Sequence, residues 1–228
     1  MTTRLRWAEQ YLQYHFENAE LLELALTHRS ASKSNNERLE FLGDSFLNFA
    51  IARRLYELHP YQSEGDLSRL RAAVVRGATL AEVGRELALG PHIILGPGEN
   101  SSGETQRDSI IANAIEAVIG AVLLDGGYDA ADACISHLFF DRLEQLPDAD
   151  SLKDAKTKLQ EWLQGRGLDL PVYTVVSVSG EPHRQTFVVM CEIGDTSARA
   201  EGCGQSRRRA EQDAAEQMLS ILNSDDKR

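Results

Sequence analysis

Apolar side chains in the first two thirds of the chain recur three and four residues apart. The segments AELLELALTHRSAS, NERLEFLGDSFLNFAIARRLYEL, DLSRLRAAVVRGATLAEVGRELAL and DSIIANAIEAVIGAVLLDGG each carry that spacing, punctuated by Gly or Pro, which predicts a helical domain with few strands before position 170. The Gly-rich HIILGPGENSSGETQRD reads as a loop between two of these helices. At LEQLPDADSLKD the periodicity gives way to Pro and acids. Beyond it KTKLQEWLQGRG predicts a short amphipathic helix, YTVVSVSG and TFVVMCEIG two strands joined by a turn at Gly180 to His183, and ARAEGCG a third strand. The closing SRRRAEQDAAEQMLSIL places Ala210, Ala214, Met218 and Leu222 on one stripe. The expected fold class is an all-α domain over 1–147, a linker at 148–152 and a small α+β domain over 153–223, with a frayed tail over 224–228. The second domain has the order α-β-β-β-α, with its helices on one face of an antiparallel sheet.

Composition narrows the class without naming a chemistry. The chain has 228 residues and 42% apolar content, ordinary for a globular protein. MTTRLRWAEQ lacks the apolar core of a signal peptide, and no apolar run reads as long or clean enough to span a bilayer. The expectation is a soluble, cytoplasmic protein with no membrane partner. Cys134, Cys191 and Cys203 lack metal-type spacing and read as buried or half-buried thiols of a reducing compartment. A net charge of −11 argues against a polyanion ligand for the chain as a whole. Yet residues 1–150 hold 13 basic against 23 acidic side chains, and residues 151–228 hold 11 against 12. Nucleic-acid affinity would therefore come from local patches, with the second half the better place for them.

Two acids in the first half lack an evident partner. On one helix Asn36, Glu40, Asp44 and Asn48 form a polar stripe, while Leu39, Leu42, Phe46 and Phe49 occupy the other faces. Ionised carboxylates one turn apart repel by about 3 kcal/mol at an effective dielectric near 20, before solvent relief. A solvated face is the plain reading of such a pair. From Ile110 to Leu124, however, Asn113 and Glu116 are the only polar side chains of an otherwise apolar helix. A buried Glu needs protonation, an arginine or a metal ion. If the two helices pack together, Glu40, Asp44, Asn113 and Glu116 converge as an all-oxygen set suited to Mg²⁺. A structural ion pair to Arg38, Arg71 or Arg107 is the alternative.

NERLEFLGDS, preceded by ALTHRS and followed by ANAIEAVIGAVLLD, closely resembles the signature of bacterial ribonuclease III. The second half resembles the double-stranded-RNA-binding domain that follows the nuclease domain in that family, so the likeness covers nearly the whole chain. It implies an endoribonuclease that cuts double-stranded RNA with Mg²⁺, or Mn²⁺ as a substitute, leaving 5′-phosphates and short 3′ overhangs. One or two metal ions held by Glu40, Asp44 and Glu116 would activate water for in-line attack, with Asp44 and Glu116 catalytic. Asn113 also belongs to that ligand set, but stands where the family usually has Asp, which removes one negative charge from the site. Glu37 and Glu64 match acidic positions near the cleavage valley, and Phe41 matches a dimer-contact aromatic whose other reading is a core Phe. Thr27, His28 and Ser30 brace the preceding helix in this reading. The resemblance further implies a homodimer through the nuclease domain, no small-molecule substrate, and work on ribosomal precursors and messenger RNA.

In the second half Arg207, Arg208 and Arg209 crowd the first turn of the closing helix, the wrong end for cations unless an anion sits there. With Ser206 they would hold phosphates across a major groove. Thr157, Gln160, Glu161 and Gln164 share one face of the short helix and would meet a minor groove, and His183 on its turn would meet the next. Such a domain spans about 16 base pairs and reads shape more than sequence. Trp162 reads as core. Two rivals stand beside the nuclease reading: a duplex-RNA-binding protein whose cleavage Asn113 has weakened or abolished, and an unrelated helical metallohydrolase.

Overall fold

The computed structural model describes residues 2–97, 107–194 and 198–225. It divides into two compact units, 1–150 and 151–228, a boundary inside the expected linker. In the first unit, helices α1 (Thr3–Tyr11), α2 (Ala19–Ala25), α3 (Glu37–Leu58), α4 (Glu64–Val75) and α5 (Gly77–Glu86) precede a 3-10 turn at Gly90–His92 and the long α6 (Asp108–Glu144). Side chains start several of them: Thr2 accepts from Leu5 N–H, Asn18 from Glu20 N–H and Ser63 from Asp66 N–H.

The helical periodicity holds for α3 over its full expected length, and differs elsewhere for local reasons. AELLELALTHRSAS stops being helical after Ala25, because Thr27 enters a parallel bridge with Ile94. There His28 N–H donates to the Ile94 carbonyl at 3.0 Å, and Ile94 N–H to the Leu26 carbonyl at 2.7 Å. The segment DLSRLRAAVVRGATLAEVGRELAL, helical in spacing throughout, forms two helices. Arg76 is extended (ψ 146°), and the Thr79 hydroxyl donates to the Ala73 carbonyl across the break. Conversely α6 continues past its glycine pair to Glu144, interrupted at Gly127, whose φ of 77° suits glycine.

Helix α6 is the axis of the first core. Ile110, Ile115, Val118, Ile119 and Val122 are buried among α2, α3 and α5. Taken alone α6 is long and apolar enough to cross a bilayer, contrary to the sequence expectation, but its burial makes it the core helix of a folded domain. Against it lies α3, at a crossing where Gly43 meets Gly120. A Cβ on Gly43 would overlap the Glu116 carbonyl oxygen; one on Gly120 would overlap that of Leu39 and lie 3.1 Å from the Gly43 nitrogen.

The second unit has the expected order. Helix α7 (Ala155–Gln164), capped by Asp154, precedes strands β1 (Val172–Ser179), β2 (Thr186–Glu192) and β3 (Arg199–Gly204), and α8 (Arg207–Asp225) closes it. The antiparallel sheet runs β1-β2-β3, with a bulge between Val175 and Ser177. Ala210, Ala214, Met218 and Leu222 of α8 pack with Leu159, Leu163, Val189 and Cys191 in one core, and Trp162 packs against it. Two expectations fail here. The closing helix takes in Ser224 and Asp225 of the expected tail, whose remainder lies outside the described residues. Cys203 is exposed, because on β3 it shares the outward parity of Arg199 and Glu201.

Gly43→Ala and Gly120→Ala should each destabilise the helical unit by about 1 to 3 kcal/mol or more, since the added methyl must push two backbones apart. Thermal unfolding followed by circular dichroism checks this, and an unchanged midpoint would contradict the crossing.

Candidate functional site

The α3–α6 crossing brings four oxygen-bearing side chains together. Glu40 and Asp44 lie one turn apart on α3, Asn113 and Glu116 one turn apart on α6, flanking the glycine contact. The Asn113 amide lies near enough to the Glu40 carboxyl to favour its charged form. Asn48, one turn beyond Asp44, donates to the Asp44 carboxylate at 2.8 Å and so orients it. The four groups that sequence spacing assembles are neighbours in space.

Their electrostatics are unfavourable as they stand. Burial pushes the Glu116 carboxyl up to about 7, with further upward pressure from the Asp44 and Glu40 charges. Glu40 is raised as well, first by burial, against the lowering effect of Asn113; Glu37 and Asp44 raise it further and Arg29 lowers it. Among the described residues no Lys, Arg or His makes an ion pair with Glu40, Asp44 or Glu116; Arg38, Arg71 and Arg107 leave them unneutralised. Nor, among the described residues, do any three Asp, Glu, His or Cys side chains already stand in an arrangement that would hold a metal ion. The partly buried Glu40 and Glu116, the exposed Asp44 and the neutral oxygen of Asn113 are all hard donors, of the chemistry that suits a divalent cation retaining part of its water.

Glu40 and Asn113 open on a cleft of about 430 Å³ that His28, Asn36, Glu37 and Arg107 also line. Glu37 is exposed and faces Arg29 at 3.6 Å. Glu64 does not line this cleft; it begins α4, where its carboxylate accepts from the Ser68 hydroxyl at 2.8 Å. The ALTHRS segment shapes the cleft's edge. Thr27 donates to the Glu23 carbonyl at 2.6 Å, the His28 ring meets the Ser30 hydroxyl at 2.8 Å, and that hydroxyl accepts from Gly96 N–H at 3.0 Å. Phe41 is 76% exposed, which removes the core reading, and Phe49 and Tyr128 are exposed too. Sequence reasoning missed Asn36 as a cleft residue, having treated it as one more member of the polar stripe; its place directly before the helix was the available signal.

In the second unit Gln160, Glu161 and Gln164 are exposed along α7, Thr157 partly so, and His183 stands exposed on its turn. Arg207, Arg208 and Arg209 occupy the first turn of α8, behind Ser206, whose hydroxyl accepts from Arg209 N–H. Here carboxylates already attend some of the charges. Glu211 pairs with both Arg207 (2.9 Å) and Lys156 of α7 (2.6 Å), and Glu161 pairs with Lys153. The two lysines are cations of this surface that the sequence analysis had not singled out.

The family model described as Ribonuclease-III-like matches residues 18–143, and the one described as Double-stranded RNA binding motif matches residues 155–222. Ribonuclease 3 of Vibrio cholerae is 51% identical over 98% of this chain and 100% of its own length. Ribonuclease 3 of Nitrosococcus oceani is 54% identical over 97% of this chain and 96% of its own. Among solved structures, a ribonuclease III nuclease domain from Campylobacter jejuni superposes with a TM-score of 0.59 at 39% identity. It covers 61% of this chain and 99% of its own, and is described as flexible in a region involved in dimer formation.

The raised Glu116 predicts a pH effect in metal-free buffer. Between the ordinary carboxylate range and about 7 the unfolded chain releases this proton first, so stability should fall as pH rises through that window. Discounted for partial solvation, the fall is on the order of 1 kcal/mol. Urea titrations at pH 5 and 8 should resolve it in the parent protein, and Glu116→Gln should lose most of it.

Proposed function

The chain belongs to the ribonuclease III family, and we propose that it cuts its substrate at the cluster of Glu40, Asp44, Asn113 and Glu116, where these side chains hold Mg²⁺ or, as a substitute, Mn²⁺. The protein is an endoribonuclease acting on double-stranded RNA, and its family is metal-dependent. The reading of a binder that no longer cuts finds no support in relatives that carry the Ribonuclease 3 name over nearly the full chain. The observation that carries the site assignment is the meeting of three carboxylates from two helices with no ion-pairing cation among the described residues, one of them pushed up to about 7.

A bound divalent cation would polarise the scissile phosphate and supply an activated water. The chain's own groups prepare that event. Asn48 orients the Asp44 carboxylate, Asn113 favours the charged form of Glu40, and Glu116, which burial biases towards its protonated form, would give up its proton when positive charge arrives. Asn113 contributes a neutral oxygen where Asp would contribute charge, so metal affinity is lower and cleavage rests on the three carboxylates. Glu37 and Glu64 serve as auxiliary acids of the valley.

Substrate is gripped by the second unit, with Thr157, Gln160, Glu161, Gln164 and His183 meeting minor grooves and Ser206, Arg207 and Arg208 meeting phosphates. The exposed Phe41 supports a homodimer through the nuclease domain, which sets one site against each strand of the duplex; the products carry 5′-phosphates and short 3′ overhangs. Processing of ribosomal precursors and turnover of messenger RNA in the cytoplasm are the roles this chemistry suits. No membrane or small-molecule substrate enters the scheme.

Asp44→Asn and Glu116→Gln should each lower Mg²⁺-dependent cleavage of duplex RNA by at least about a hundredfold, the scale of lost charge stabilisation, while duplex binding persists. Gel assays over a magnesium titration check this; full activity in either variant would remove it from the site. In the same titration Asn113→Asp should reach half-maximal rate at lower Mg²⁺. Phe41→Asp should shift sedimentation from dimer towards monomer, and an unmoved dimer would place the interface elsewhere.

A further inference from the structure

The cleft beside the acid cluster has a second side for which the roles above provide no task. Asn36 forms part of it. The residue is 3% exposed and stands at the N-cap position of α3, yet its side chain makes no capping hydrogen bond and none to any other group among the described residues. Amides of buried residues are almost always paired; that of Asn36 has no protein partner among the described residues, and its polar atoms stay accessible from the cleft. Asparagine before a helix ordinarily turns back to cap it. This one lines the cleft instead.

Helix α6 begins at the same cleft. Arg107 holds its N-cap position, Ser109 its first turn, and no side chain caps it, so the N–H groups of Asp108 and Ser109 are open at the positive end of the helix dipole, while Ile110 N–H donates to the Arg107 carbonyl. Arg107 is exposed and has no ion pair among the described residues. An ion pair between Arg85 and Asp108 ties this end of α6 to α5 and holds it in place. Amide, guanidinium, hydroxyl and open N–H groups can all donate, which is the complement of an oxyanion.

We propose that Asn36, Arg107 and Ser109 seat a phosphodiester group of the strand being cut, one that neighbours the scissile phosphate. The inference rests on the assignment of the cation to Glu40, Asp44 and Glu116, because only a neutralised acid wall lets a second phosphate enter the same cleft. The two sides then act on successive phosphates. The acid side meets the one that reacts, and the basic side sets the register of the strand. Loss of the basic side should therefore weaken substrate binding more than the chemical step.

The test combines Arg107→Ala with duplex RNAs in which each phosphate flanking the scissile bond is replaced, one at a time, by a neutral methylphosphonate. The parent enzyme should lose about tenfold in kcat/KM at one such position, the effect of removing a charge-assisted contact. Arg107→Ala should lose a similar factor on unmodified RNA, chiefly through KM, and nothing further on RNA modified at that position. Arg107→Lys should recover part of the loss. Asn36→Asp, which keeps the size but adds a charge, should raise KM further still; if it does not fold, the Arg107 cycle decides. An unchanged KM for Arg107→Ala, or losses that multiply at every methylphosphonate position, would overturn the proposal. A fault in the cation assignment has a separate signature: Asp44→Asn would then cleave unmodified RNA as well as the parent, whatever the Arg107 cycle returns.

Discussion

Where α3 crosses α6, Gly43 and Gly120 leave no side chain between the two backbones, and the helices come as close as main-chain atoms allow. The acids on either side of that contact are held near one another by the backbone itself. A larger residue at either glycine would spread Glu40 from Asn113 and Asp44 from Glu116, relaxing the repulsion between the acids and dispersing the proposed ligand set. Close packing and electrostatic stress are thus two faces of one contact. The apolar burial of α6 offsets that stress by holding the helices together.

The same contact gives the acidic excess of the first unit a use. A surface with ten more acids than bases should repel RNA. Near Glu116 the clustered carboxylates concentrate that charge, and the proposed cation would reverse the local sign. In the proposed scheme binding of the duplex falls to the nearly neutral second unit, where the arginines of α8 are grouped on one turn.

What could be read from the sequence was whatever a single helix encodes. The four-residue step from Glu40 to Asp44 and the three-residue step from Asn113 to Glu116 follow from helical period alone, and the apolar surroundings of Glu116 announce its need for a partner. The stripe of Ala210, Ala214, Met218 and Leu222 was legible for the same reason. Features that depend on a second element were not. The end of α2 at Ala25 is imposed by Ile94, far along the chain. Phe41 is exposed because α3 turns Leu39, Gly43, Leu47 and Ala50 towards the core, a rotation that period does not fix when aromatic residues lie on several faces. Cys203, by contrast, shares the parity of two charged neighbours on β3 and could have been placed from the alternation.

Glu211 of α8 is shared by Arg207 and Lys156. On the proposed reading, a strand of RNA arriving there would compete with a resident carboxylate instead of merely shedding water, so each such contact would yield little net attraction. That restraint suits a catalyst more than a storage protein. A grip tightened by freeing those cations would hold the severed halves as firmly as the intact helix, and the enzyme would stall on its own products.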